Sequence, residues 1–295
     1  MQYKQQHQQD VQAFLQGTFS VSGWTFSLPR GSGGETYFAQ SDGRSYFVKL
    51  GAHLERTLAV ARIGLTPEVL AAGQLEDGTS ILVQPAIAGR KPGPKDFHVQ
   101  LEQAATIVGK LHHDSGIKQS LVQPASDLYR AAALQMLAQL HQRWERYKKQ
   151  VPGVAGFVDE ALARLAGEVE DFSGGGLVAS HNDICNANWL LSQDGRFYLV
   201  DLDMLALDDP ANDLGALLWW YYPPALRGRF LEIAGYADST ELRARMRARM
   251  ALHCLSILLP REQSFDHFDP ARFPEQLTDF RAILAGEENP QGYGE

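Results

Sequence analysis

The chain has 295 residues, 44% hydrophobic and 21% charged, a balance that excludes a disordered or fibrous protein and suffices for one large domain or two lobes. A formal net charge of -8 disfavours nucleic acid as a partner, because gripping phosphate backbones needs a surplus of Lys and Arg. No apolar run reaches the roughly 20 residues of a membrane helix, and the glutamine-rich 1–10 segment lacks a signal-peptide core; a cytoplasmic protein with no membrane partner is expected. Only two cysteines occur, one of them Cys185, so neither a disulfide framework nor a Cys-based metal site is expected.

In chain order, the first 90 residues read mostly as strands, at 24–28, 36–40, 46–50 and 81–84, with turns at Asp42-Gly43 and Asp77-Gly78. Residues 54–63 form the one expected helix among them, ending at Gly64. The breaker-rich 88–94 segment reads as a linker. Beyond it the period becomes helical, with Leu101, Ala104, Ala105, Val108 and Leu111, then Leu137, Leu140, Trp144 and Tyr147, then Val158, Ala161, Leu162 and Leu165 on successive faces. An island of strand at 177–180, 189–192 and 196–201 interrupts the helices, its last two members joined by Gln193-Asp194-Gly195. Helices resume at Leu214 and over 241–259, where Ser239 is the expected N-cap and Pro260 the stop. The 287–295 segment reads as a frayed polar tail.

The strand island carries His181-Asn182-Asp183-Ile184-Cys185-Asn186-Ala187-Asn188 and, after a hairpin, Asp201. Four residues between Asp183 and Asn188 let an irregular loop turn both side chains towards one point, and Asp201 arrives from the next strand. A carboxylate that receives a hydroxyl proton, with an amide and a second carboxylate as oxygen ligands for Mg²⁺, is the polar equipment of ATP-dependent phosphoryl transfer. His181 is expected to brace the loop rather than act as base. Asp203 lies two residues beyond Asp201, able to assist the metal or the acceptor if the strand continues, or to cap the following turn.

These motifs, over about 31–215, resemble those of the aminoglycoside phosphotransferase and choline kinase family of small-molecule kinases: HxDxxxxN as His181, Asp183 and Asn188, the metal aspartate as Asp201, and the DPxxDL stretch as Asp209 to Leu214. The resemblance implies an α+β, protein-kinase-like bilobal fold, with a small antiparallel-sheet N-lobe at 1–87 and a mostly helical C-lobe at 88–295. It implies that Asp213 braces the catalytic loop and that Lys49 holds the α and β phosphates of ATP, with Glu55 as its glutamate partner in preference to Glu68. Leu111-His112 resembles the end of the family's first large-lobe helix. Gly31, Ser32 and Gly33 stand where a phosphate-covering loop belongs, their bare backbone permitting close approach. Aligned on Gly89, the Pro85 carbonyl and the Ile87 N–H would take adenine; proline costs nothing where only a carbonyl is needed.

The expected partner is a small hydroxylated acceptor. The run Trp219-Trp220-Tyr221-Tyr222 cannot face one core entirely; an aromatic wall would suit a quaternary ammonium, and core packing is the alternative. Glu262, Asp266, Asp269 and Glu275 could instead form an acidic pocket for an aminoglycoside, or a solvated face. A catalytically silent pseudokinase would be expected to lack one of Lys49, Asp183, Asn188 or Asp201, and a protein kinase to have a longer interval between Asp201 and Asp213, with Asp-Phe-Gly and Ala-Pro-Glu signatures. The motifs are silent on the acceptor and on oligomeric state.

Overall fold

The computed structural model describes residues 2–28, 36–261 and 267–294. The elements run α1 (Gln2–Phe19), β1 (Thr25–Ser27), β2 (Thr36–Ser41), β3 (Arg44–Leu50), α2 (Leu54–Arg62), β4 (Ala71–Gln74), β5 (Ser80–Pro85), β6 (Gly89–Arg90), α3 (Pro94–Val99), α4 (Leu101–His113), α5 (Ser115–Gln119), α6 (Tyr129–Tyr147) and α7 (Pro152–Glu170). They continue with β7 (Val178–Ser180), β8 (Trp189–Ser192), β9 (Phe197–Leu199), β10 (Ala206–Asp208), α8 (Ala211–Tyr221), α9 (Pro224–Ile233), α10 (Thr240–Leu258), α11 (Phe273–Gln276) and α12 (Thr278–Ala285). The chain divides into two compact units, 1–91 with 188–204, and 92–187 with 205–295.

The first unit is built on an antiparallel sheet in the order β1-β2-β3-β5-β4. In β3, Tyr46, Val48 and Leu50 are buried while Phe47 and Lys49 are not, so the alternation sends Lys49 to the face opposite the core. Val11 and Leu15 of α1 complete that core beside Trp24, Tyr37 and Tyr46. Burying each such aliphatic side chain contributes about 1.5–3 kcal/mol. The helix and β4 were not anticipated: the α1 stripe of Val11, Phe14, Leu15 and Phe19 has helical spacing but is diluted by glutamine.

The 88–94 segment is not simply a linker. Its β6 pairs with β8, and a Cβ at Gly89 would lie 2.5 Å from the Leu191 carbonyl oxygen, so only glycine allows the strands to close. This pairing, with the Leu199 N–H donating to the Leu65 carbonyl at 2.7 Å, groups the β8–β9 hairpin with the first unit, whereas the sequence reading had put all of 88–295 in one lobe.

The second unit is helical. The expected face of α4 is buried, and Ser239 caps α10 by accepting from the Leu242 N–H at 3.1 Å. Nine of the eleven residues of α8 are buried, because the helix is enclosed by its neighbours rather than lying on the surface. It packs against α10 so closely that a Cβ at Gly215 would fall 2.6 Å from the Met246 carbonyl oxygen. The C-terminal segment is tied down rather than frayed: the Asn289 amide donates to the Trp220 carbonyl, and Arg227 binds both Glu288 and Tyr293.

Candidate active site

In the first unit, β8–β9 register decides the geometry. Trp189 stands opposite Leu199, and beyond that pair the Val200 N–H donates to the Asn188 carbonyl at 2.9 Å. Asn188 and Asp201, distant in sequence, therefore emerge at the same end of one hairpin. Asp201 has φ +59, a left-handed backbone costly for a residue with a side chain; such strain, about 1–3 kcal/mol, persists where the surroundings impose it. The strand ends before Asp203, which lies in a 3-10 turn at Leu202–Met204.

Lys49 reaches both carboxylates. Its ammonium donates to Asp201 Oδ1 at 2.8 Å and Asp203 Oδ2 at 2.7 Å. Burial alone would push the ammonium down, but the hydrogen bonds and charges of the two aspartates hold its pKa above the ordinary value. The structure does not bring Glu55 to it. Thr57, Ala59 and Val60 form the buried face of α2, and Glu55 stays exposed in the first turn, where the helix dipole suits a carboxylate.

Pro85 ends β5. Hydrogen-bonded pairs alternate along an antiparallel ladder, and the Ala86 N–H donates to the Ser45 carbonyl on the β3 side, so the Pro85 carbonyl faces the opposite side. There β4 begins only at Ala71, opposite Val83, and runs away from Pro85. Ile87 is two residues further and half-buried, and its N–H has no hydrogen bond among the described residues. Gly31, Ser32 and Gly33 lie outside the described residues.

In the second unit, the loop that carries Asp183 is pinned on both sides. Asp213, in the first turn of α8 and 1% exposed, accepts from the His181 N–H at 2.6 Å and the Asn182 N–H at 2.9 Å. It also accepts a hydrogen bond from Nε2 of buried His112 at 3.1 Å, while His112 Nδ1 lies 2.8 Å from the Tyr236 hydroxyl. Burial pushes the Asp213 carboxyl up, yet His112, His181 and the backbone donor together hold it below the ordinary carboxylate range. Asn182 adopts φ +62, and its side-chain oxygen accepts from Asn212 at 2.9 Å. On the far side of Asp183, the Asn186 N–H donates to the Tyr221 hydroxyl at 2.8 Å, and its amide donates to the Pro92 carbonyl at 3.1 Å. Asp183 itself is half-buried.

The Tyr221 tether was missed by sequence reasoning. Its signal lay in the aromatic run, three of whose members have separate tasks. Tyr222 is fully buried, Tyr221 stacks on Phe97 at 4.7 Å and holds the loop, and the Trp220 indole donates to Asp279 at 3.3 Å. Also missed were Arg245 and Arg249, one turn apart on α10, which bind Asp209 at 3.1 Å and Asp208 at 2.5 Å. Asp209 in turn accepts from the Ala211 N–H at 2.9 Å, anchoring the start of α8. Of the acidic residues near the C-terminus, Glu262 and Asp266 lie outside the described residues, Asp269 accepts from the Ala271 and Arg272 N–H groups, and Glu275 opens α11.

Solved structures share this fold at low sequence identity. Aminoglycoside phosphotransferase APH(4)-Ia superposes with a TM-score of 0.68 at 18% identity, over 95% of this chain and 99% of its own. A choline/ethanolamine kinase family protein from Mesorhizobium loti gives 0.62 at 18%, over 96% of each. The AMP-bound spectinomycin phosphotransferase APH(9)-Ia gives 0.61 at 15%, over 95% and 99%. The fold is therefore protein-kinase-like, with an antiparallel-sheet N-terminal part and a helical C-terminal part. The sequence model of the phosphotransferase enzyme family matches residues 27–251, and the chain belongs to that family.

Proposed function

We propose that the protein transfers the γ-phosphoryl group of ATP, with Mg²⁺, to a hydroxyl of a small molecule such as an amino alcohol or an aminoglycoside. The observation that carries this reading is the meeting of Lys49 with Asp201, 152 positions apart, at 2.8 Å. A lysine and a metal-binding carboxylate in one place are what a nucleotide's phosphates need.

The residues fit the cofactor. The Asp201 carboxylate and the Asn188 amide are oxygen donors at one hairpin end, and Mg²⁺ takes few protein oxygens, filling its other positions with phosphate oxygens and water. When bound, Mg-ATP supplies the transferable phosphoryl group. Lys49 would hold the α and β phosphates, in exchange for its contacts with Asp201 and Asp203. The Pro85 carbonyl and Ile87 N–H would take the adenine edge. Asp183 would accept the acceptor's hydroxyl proton on its carboxylate, placed by the Asp213 and Tyr221 anchors, while His181 braces the loop through its buried position. Asp203 either assists at the metal or orients Lys49. Transfer is direct and in line, with no covalent enzyme intermediate.

A coupled ADP-release screen over amino alcohols, aminoglycosides and sugars tests the reading. Turnover that needs Mg²⁺ and falls at least about a hundredfold in Asp183→Ala, with nucleotide affinity retained, is the expected result. Undiminished turnover in that variant would remove Asp183 from its role. Absence of both Mg-ATP binding and turnover would favour a silent binding module.

A further inference from the structure

The chain leaves β7 at Ser180 and two residues later, at Asn182, the backbone turns left-handed, with φ +62. That conformation is disfavoured roughly tenfold for a residue with a side chain. Asparagine tolerates it better than most, because its short amide finds hydrogen bonds near its own backbone. Here the bond comes from a distant helix instead. The Asn182 side-chain oxygen accepts from the Asn212 amide at 2.9 Å, and the Asn182 N–H donates to Asp213 Oδ1 at 2.9 Å. Asn212 and Asp213 are consecutive in the first turn of α8, so one helical turn holds Asn182 by side chain and by backbone.

Asn212 is poorly suited to stabilising the fold. It is 4% exposed, and its own side-chain oxygen is buried with no hydrogen-bond partner among the described residues. A buried acceptor left unmet disfavours folding by roughly tenfold, whereas an apolar side chain of similar shape, such as leucine, brings no such penalty. A half-satisfied amide in a packed interior therefore points to a task other than stability. The bond it makes is to Asn182, the residue directly before Asp183. Turning the Asn182 N–Cα bond by roughly 20° would carry the Asp183 Cα through roughly 1 Å. A misplacement of about 1 Å at a reacting group can cost about a hundredfold in rate.

We propose that Asn212 is a positioning residue: its amide locks Asn182 in the left-handed conformation and so fixes the direction in which the loop presents Asp183. The role of Asp183 rests on the phosphotransferase reading, but the lock itself is a property of the protein without nucleotide.

Asn212→Leu in the full chain tests it. Hydrogen exchange reads the lock directly: the Asn182 N–H should exchange about fivefold or more faster, with the Leu217 and Leu218 amides unchanged. With Mg-ATP and either ethanolamine or kanamycin as acceptor, kcat should fall at least about tenfold and the KM for ATP should stay within about twofold. The melting temperature should hold or rise. A merely structural amide would lower stability and turnover together. Glycine takes a positive φ freely, so Asn182→Gly should lose less turnover than Asn212→Leu. Combining the two should be no worse than Asn182→Gly alone within about twofold, because the lock has nothing left to hold. Should the leucine variant fail to fold, Asn212→Ala, which cannot overpack, repeats each measurement. Unchanged Asn182 exchange would overturn the proposal whatever the activity, as would a double variant that loses about tenfold beyond Asn182→Gly. Turnover abolished by Asp183→Ala yet normal in Asn212→Leu would overturn it and leave the phosphotransferase reading standing. In a protein without turnover that reading fails, and exchange alone decides the lock.

Discussion

Replacing Asp213 with Asn alters one atom and should be among the most damaging single changes in the chain. One carboxylate oxygen accepts from the His181 N–H and His112 Nε2, the other from the Asn182 N–H. An amide keeps one acceptor and presents a donor where the other stood, so at least one buried donor loses its partner at a cost of about 1–3 kcal/mol. The surviving bonds also lose their charge assistance, about 1 kcal/mol each. The sum, about 3–5 kcal/mol, matches that for breaking a buried charged pair and is a large share of a typical 5–15 kcal/mol stability. Urea unfolding followed by circular dichroism should show the midpoint falling by roughly 1 M or more. Steady-state assays under native conditions should show turnover down roughly a hundredfold, because the loop that carries Asp183 loses its anchor, with less change in nucleotide affinity. The pH dependence has a definite sign. A carboxyl held below its ordinary value contributes stability that is present above the unfolded pKa and is lost as pH falls through the folded one. The Asn variant should therefore lose much of the acid sensitivity below the usual carboxylate range. An Asn variant with an unchanged urea midpoint and turnover within about twofold would refute the bracing argument.

Other perturbations separate charge, burial and chemistry. Lys49→Met should reduce turnover at least about a hundredfold and weaken nucleotide binding, yet cost only about 1 kcal/mol of stability, because Asp201 and Asp203 are about half exposed and their attraction is screened; a Met variant that turns over normally would remove Lys49 from the phosphates. Arg249→Met should destabilise by about 2–3 kcal/mol through the loss of Asp208's partner, discounted from the fully buried case because Asp208 is partly exposed; an unchanged melting temperature would contradict this. Burial lowers the His253 imidazole pKa, so its contribution to stability is present above the ordinary value of about 6.5 and fades as pH falls through the folded one; His253→Phe should flatten stability between about pH 7 and 5. Cys254 is buried, and burial pushes its thiol up, whereas Cys185 is partly exposed. Mass spectrometry after brief alkylation should find one modified cysteine in the native protein and two in denaturant, and native modification of Cys254 would contradict the packing.

The family and the fold class were legible in the sequence, where they reside in residue type and short spacing. The interval from His181 to Asn188, the hairpin to Asp201 and the return of acid at Asp213 are what the proposed donor chemistry rests on, because backbone geometry limits where such near neighbours can point. Alternation in β3 likewise separates Lys49 from the core. Tertiary structure decided the pairings that no local pattern encodes. Lys49 meets Asp201 and Asp203 rather than Glu55, because side-chain partnership depends on which face of α2 is buried and on the register of a hairpin far along the chain. The same holds for the Tyr221 tether, the arginines of α10 beneath Asp208 and Asp209, and the docking of α1. Each is a contact between segments whose sequences record only that they are helical or apolar, while packing selects the partner.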